Sequence, residues 1–227
     1  VTCGWLNTSD LSADPAGLLI GLHRQPLLAV LRPTTLEQAC QQLEQLQMSG
    51  LRHVELAVAV HDDWVAMVRQ LQQRFPDLRL GAASVCHADA LECVRAAGLT
   101  YAVSPILDPG LLAQARVAGI TLVPGVFSPS EIVLAVQHGA VAVKLFPATA
   151  LGPGYWRSLA APLAPLPFCI AAGGITVADV PVWLAAGVDA VALGSGLFVD
   201  GCSADDSGRI ASLLRPELAA LIARLPG

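Results

Sequence analysis

Lys144 is the only lysine in a chain with thirteen cationic residues, the other twelve being Arg. It lies in Ala140-Val-Ala-Val-Lys144-Leu-Phe-Pro147, an apolar run that ends at a proline. Burial among apolar side chains disfavours an ammonium and lowers its pKa. A neutral amine attacks carbonyl carbon and forms a Schiff base. The plainer alternative is a lysine that snorkels its head to water. This sequence supplies its other positive charge as Arg, which stays protonated and is no nucleophile. Keeping one Lys inside a strand therefore points to amine chemistry.

Glu55 lies in His53-Val-Glu-Leu-Ala-Val58, again inside an apolar run. A carboxylate there is costly unless paired or used. Burial raises its pKa and makes it a candidate general acid/base, the alternative being a structural ion pair with an Arg. Amine plus carboxylate is the constellation of a Schiff-base enzyme. The iminium withdraws electrons from a carbon–carbon bond, and the carboxylate moves protons.

Gly173-Gly174 and Gly194-Ser195 form a second constellation. Glycines at successive strand ends let backbone N–H groups approach an anion, and barrels often bind phosphate there. Ordinary tight turns are the alternative. Arg32 precedes Pro33 at the end of an apolar run and could grip a carboxylate or phosphate bidentately. His53, His61, His87 and His138 form no metal pattern and read as structural. The six Cys lack CxxC or Cys/His metal spacing and read as reduced thiols. Cys86 and His87 are neighbours with no evident third group for nucleophilic catalysis.

These residues need a frame that brings them together. A short apolar strand, a turn and an amphipathic helix recur eight times along the chain. The strands read as 27–31, 53–58, 80–85, 101–105, 121–126, 141–146, 169–172 and 190–194. The helices read as 35–48, 62–74, 88–97, 110–117, 129–137, 155–163, 177–186 and a long final 204–224. Gly50, Gly98, Gly119, Gly139 and Gly187 close helices before the next strand. Parallel strands require crossover helices, and eight units suit a closed (β/α)8 TIM barrel, an α/β fold. An open doubly wound sheet is the alternative, disfavoured because no GxGxxG follows the first strand. Residues 14–24 read as an extra N-terminal helix and residues 1–10 as frayed. No linker divides the chain, so 1–227 reads as one domain. In such a barrel the carboxyl ends of the strands bring Arg32, Glu55, Ser84, Pro105, Phe127, Lys144, Gly173-Gly174 and Gly194-Ser195 to one face.

Composition excludes several classes. Hydrophobic residues make up 54% and charged residues 14%, which rules out intrinsic disorder. The net charge of -5 argues against nucleic-acid binding. Mean hydropathy is +0.59, but every apolar run is broken by Gly, Pro or charge well short of a spanning helix. No secretory signal pattern is seen, and the expected location is cytoplasmic.

The motifs resemble those of the 2-keto-3-deoxy-6-phosphogluconate / 4-hydroxy-2-oxoglutarate aldolase family over about residues 17–200. The anchors are Ala29-Val-Leu-Arg32, Val54-Glu-Leu56, Gly81-Ala-Ala-Ser-Val85, Val103-Ser-Pro105, Val123-Pro-Gly125, Val143-Lys-Leu-Phe-Pro147, Ala172-Gly-Gly-Ile175 and Leu193-Gly-Ser195. The resemblance implies class I, metal-free and cofactor-free lyases that are (β/α)8 barrels and typically homotrimers. It implies Lys144 as the Schiff-base residue and Glu55 as the acid/base. It puts Arg32, Ser84, Pro105 and Phe146 at the substrate, and Gly173, Gly174, Gly194 and Ser195 at the phosphate.

The chain departs from the family pattern at Ala59, Ala83, Ser84 and Ala172, where Arg, Gly, Thr and Thr are usual. These departures alter the surroundings of the pyruvyl carboxylate and the aldehyde portion. Ala148-Thr-Ala-Leu-Gly-Pro-Gly-Tyr155 and Leu193-Gly-Ser195 look more like the 6-phosphogalactonate branch, where an Arg after the first strand is available to the substrate. The expected reaction is cleavage of a 2-keto-3-deoxy sugar-acid 6-phosphate, or of 4-hydroxy-2-oxoglutarate, to pyruvate and an aldehyde. The alternatives are a different phosphate-binding barrel enzyme and a non-catalytic phosphometabolite-binding barrel.

Overall fold

Strand pairing runs without interruption from one barrel strand to the next. The computed structural model describes residues 17–194, 196–204 and 210–225. The strands β1 (Leu27–Leu31), β2 (His53–Ala57), β3 (Arg79–Ala83), β4 (Tyr101–Val103) and β5 (Thr121–Val123) pair in parallel, each with the next. On the other side β6 (Gly125–Val126), β7 (Ala142–Leu145), β8 (Phe168–Ala172) and β9 (Ala190–Leu193) do the same, and β9 pairs back with β1. β5 and β6 are two halves of one strand, read from sequence as continuous over 121–126. Pro124 between them has no N–H to give the ladder. Its carbonyl still accepts from Lys144 N at 2.8 Å, so the barrel closes across the break.

The expected crossover helices are present as α2 (Leu36–Met48), α3 (Asp62–Arg74), α4 (Ala88–Ala96), α5 (Pro109–Val117), α6 (Pro129–Gln137), α8 (Pro153–Leu163) and α9 (Val180–Ala185). A short α7 (Ala148–Leu151) follows β7, and a 3-10 turn, Val177–Asp179, precedes α9. The starts of α2 to α6 are capped by side chains. Thr35 accepts from Gln38 N, Asp108 from Gly110 N and Leu111 N, and Ser128 and Glu131 form a capping box. His61 and His87 cap α3 and α4 through Nδ1, which explains these two histidines structurally.

Two apolar cores result. One lies between the strands and the outer helices and includes Leu43, Leu71, Val94 and Trp156. The other fills the barrel with Leu28, Tyr101, Val103, Val123, Ile170 and Ala192. Leu18, Leu19 and Leu22 of α1 (Leu18–Arg24) belong to this inner core, so the extra helix plugs the amino end of the barrel. Arg79 Nη1 holds the Gly17 carbonyl at 2.7 Å where α1 begins. The part of the expected helix before residue 17, and the expected frayed segment 1–10, lie outside the described residues.

The long final helix is not formed. Instead β10 (Phe198–Ala204) and β11 (Ile210–Leu214) make an antiparallel hairpin, followed by α10 (Pro216–Ile222). Pro216 sits in the first turn of α10, where its missing N–H costs nothing, but it cannot continue a helix from before. The hairpin lies beside α2, with Leu214 N donating to Gln45 Oε1 at 2.7 Å. Among the described residues no helix is long and apolar enough to cross a membrane.

Candidate active site

Glu55 of β2 and Lys144 of β7 both lie in the barrel interior. Glu55 is flanked in register by Val30 and Gly81, and is fully buried. Neither carboxylate oxygen has a hydrogen-bond partner among the described residues. Burial pushes the Glu55 carboxyl up to about 7, and the positive charges of Lys144 and Arg32 oppose the rise. Lys144 is flanked by Gly125 and Ile170 and is 7% exposed. Burial pulls its ammonium below the ordinary lysine value. Glu55 opposes that, Arg32 adds to it, and Cys86 opposes it. These mutual effects put Arg32, Glu55 and Lys144 in one electrostatic site. Its two central groups are an ammonium that gives up its proton more readily than usual and a carboxyl that holds its proton more tightly than usual.

The remaining side chains surround this pair. Phe146 lies two residues beyond Lys144, with its ring centroid 4.7 Å from Nζ. Arg32 Nη1 donates to Ser84 Oγ at 3.3 Å across the mouth. Ser84 has φ +63°, the only positive φ outside glycine among the described residues. A β-branched residue would be strained there, and serine is less so. Pro105 is placed by Gly125, whose missing Cβ would stand 2.3 Å from the Pro105 carbonyl carbon. Only glycine lets β6 and the β4–α5 loop come this close.

Gly173 and Gly174 follow β8 with φ +99° and +77°. A Cβ on Gly173 would lie 3.1 Å from the Phe146 ring, and one on Gly174 would lie 2.5 Å from Thr149 Oγ1. Backbone conformation and packing thus both demand glycine here. Gly194 follows β9, and its Cβ position opens onto free space among the described residues. Ser195 lies outside the described residues.

Three residues to which the sequence assigned no site role belong to this end or support it. Cys86 is half-buried, donates to the Ser84 carbonyl at 3.4 Å and acts electrostatically on Lys144. Thr149 ties the first turn of α7 to the Gly173 carbonyl. Tyr101 shares its hydroxyl proton between the Val54 and Arg79 carbonyls at 3.0 and 3.1 Å, with its ring against Gly81. Gly81 inside a strand was a legible signal of that close approach. Among the described residues no group of three or more His, Cys, Asp or Glu is arranged to hold a metal ion.

Comparison with known proteins adds to this geometry. Residues 20–213 match the family described as "Aldolase: KDPG and KHG aldolase". The chain is 32% identical over 196 residues to the 2-dehydro-3-deoxy-phosphogluconate aldolase of Dickeya dadantii, covering 86% of this chain and 91% of that protein. It is 29% identical over 182 residues to a probable 2-dehydro-3-deoxy-6-phosphogalactonate aldolase of Rhizobium meliloti, covering 80% and 86%. A solved structure described as "Native KDPGal structure" superposes with a TM-score of 0.73 at 26% identity, covering 88% of this chain and 93% of that one.

Proposed function

This chain belongs to the KDPG and KHG aldolase family, and from that membership we propose a reaction for its own residues. The substrate is a 2-keto-3-deoxy sugar-acid 6-phosphate of the gluconate or galactonate type, or 4-hydroxy-2-oxoglutarate. The neutral Lys144 amine attacks the C2 carbonyl, and the carbinolamine takes a proton from solvent on its hydroxyl and loses it as water, leaving an iminium. The Glu55 carboxylate takes the C4 hydroxyl proton as the C3–C4 bond breaks, releasing the aldehyde. The iminium accepts the bonding pair as an enamine. Glu55 returns a proton to C3, and water releases pyruvate from Lys144.

Arg32 supplies charge for the substrate carboxylate, with Ser84 beside it, in a chain whose residue 59 is Ala rather than Arg. Phe146 and Pro105 wall the pyruvyl group. Gly173, Gly174, Gly194 and Ser195 receive the phosphate. The active protein is a cytoplasmic homotrimer of single-domain chains, acting on small molecules and needing no metal or cofactor.

One observation carries this reading. The chain's single lysine and a fully buried glutamate act on each other at one end of the barrel. A cleavage panel tests it. Purified enzyme is offered the phosphogluconate-derived and phosphogalactonate-derived keto acids and 4-hydroxy-2-oxoglutarate, with pyruvate measured. Cleavage of at least one phosphorylated epimer, with the galactonate type preferred, is expected. No pyruvate from any of the three would overturn the substrate assignment.

A further inference from the structure

The loops after β7 and β8 are joined through one residue. The Thr149 hydroxyl donates to the Gly173 carbonyl at 2.9 Å, and the Thr149 backbone N–H donates to the same oxygen at 3.3 Å. The fit leaves no room. A Cβ on Gly174 would stand 2.5 Å from Thr149 Oγ1, and one on Gly173 would stand 3.1 Å from Pro147 Cα. The Phe146 ring touches Gly173, and Lys144 Nζ lies over the same ring. The segment bearing the amine and the Gly-Gly turn are therefore one packed unit.

The consequence falls on the peptide between Gly173 and Gly174. It is trans, since the cis peptides are Phe146-Pro147 and Ala164-Pro165. A planar trans peptide points its C=O and its N–H in opposite directions. Thr149 holds the carbonyl on the α7 side, so the Gly174 N–H faces away from α7. The β8–β9 register pairs Ala172 with Ala192, so Gly173-Gly174 and Gly194 follow the ends of neighbouring strands, and the space at Gly194 is open among the described residues. The following turn cannot take an anion in its place. Asp179 accepts the Thr176 N–H at 3.0 Å and the Thr176 hydroxyl at 2.6 Å, which keeps a negative charge at that turn.

We infer that Thr149 is a positioning residue for the substrate phosphate: its grip on the Gly173 carbonyl presents the Gly174 N–H to the anion. This rests on the proposed assignment of the phosphate to Gly173 and Gly174. A Gly-Gly peptide without that restraint can rotate, because both glycines tolerate either sign of φ. Fixing it before binding removes an ordering cost from the complex.

Kinetics of Thr149→Val and Thr149→Ser in the full chain test the role. KM is measured for the phosphorylated keto acid and for 4-hydroxy-2-oxoglutarate, which has no phosphate. Losing one hydroxyl hydrogen bond in Thr149→Val should raise the ratio of the first KM to the second roughly three- to tenfold. Thr149→Ser, which keeps the donor, should restore the wild-type ratio. An unchanged ratio in Thr149→Val, or no rescue by serine, overturns the role. Gly174→Ala separates this from the phosphate assignment. If it raises the ratio while Thr149→Val does not, the positioning role falls and the assignment stands. If it leaves the ratio unchanged, the assignment falls and the role with it.

Discussion

His53 and Glu55 stand two residues apart on β2, on the same face of the strand, and differ in what surrounds them. His53 opens β2 at the plugged end of the barrel, under α1, and is 2% exposed with neither ring nitrogen partnered among the described residues. Its ring fits against Gly21, where a Cβ would stand 2.3 Å from Nε2. Burial, with the positive charge of Arg79 adding to it, lowers His53 to about 4, so it is neutral at pH 7. Glu55 meets the same dry interior, but Lys144 and Arg32 face it, and it is held to about 7. Burial reinforced by a like charge makes a silent group. Burial with an opposing charge makes one that titrates where the reaction runs.

The most severe test of the contrast removes the opposing charge that carries the nucleophile. Lys144→Met should lower aldol cleavage by about 10⁴-fold or more, with the far-ultraviolet circular dichroism of the wild type retained. Cleavage within tenfold of wild type would end the Schiff-base account.

Glu55→Gln should slow turnover by roughly 10²–10⁴-fold, as loss of an acid/base does. In the wild type, kcat/KM should rise with pH through an apparent pKa near 7, since cleavage needs the carboxylate. Glu55→Gln should lose that limb. Stability should move the other way. Folded Glu55 keeps its proton above the unfolded value of 4.5, so wild-type stability falls as pH rises from there through about 7. At pH 8 denaturant unfolding should find Glu55→Gln more stable, on the order of 2–4 kcal/mol.

His53 should show the mirror image. Its folded value lies below the unfolded 6.5, so stability is intact above pH 6.5 and is lost as pH falls toward about 4. His53→Met should flatten that acid limb, on the order of 2–4 kcal/mol between the two pH values, with kcat changed less than twofold. A large fall in kcat would show that the plugged end takes part in the chemistry.

Gly21→Ala should have the smallest effect. The added methyl meets the His53 ring, which should cost about 1–3 kcal/mol by overpacking. Combined with His53→Met the cost should shrink, giving a measurable coupling in a double-mutant cycle.

Much of the frame was legible because buried parallel strands are short apolar runs closed by glycine. β1, α3 and α6 begin and end where the residues placed them, and the other barrel strands differ by one or two residues at their ends or, in the fifth, by a break. That fifth strand hid its break because Pro124 sits among apolar neighbours, and its cost shows only in the pairing. The tail misled because the Leu and Ala spacing around 211–222 resembles a helix, although Gly208 and Pro216 already argued for interruption.

In the site, a lone lysine and a strand glutamate stand out by type alone. Cys86 and Thr149 do not, because only the closed barrel brings Cys86 near Lys144 and Thr149 to the Gly173 carbonyl. Ser84 stood in a recognisable motif, but its left-handed backbone and its bond to Arg32 belong to the closed barrel.

The central claim concerns one amine, and the chain offers a single lysine to carry it. Incubation with pyruvate and borohydride, followed by peptide mapping, should find one pyruvyl group per chain on Lys144 and none on it in Lys144→Met. The amino terminus is the competing amine, partly neutral with a pKa of about 7.7–8.0, and mapping separates it from Lys144. Label confined to the amino terminus, or no label in enzyme that still cleaves its substrate, would contradict the account.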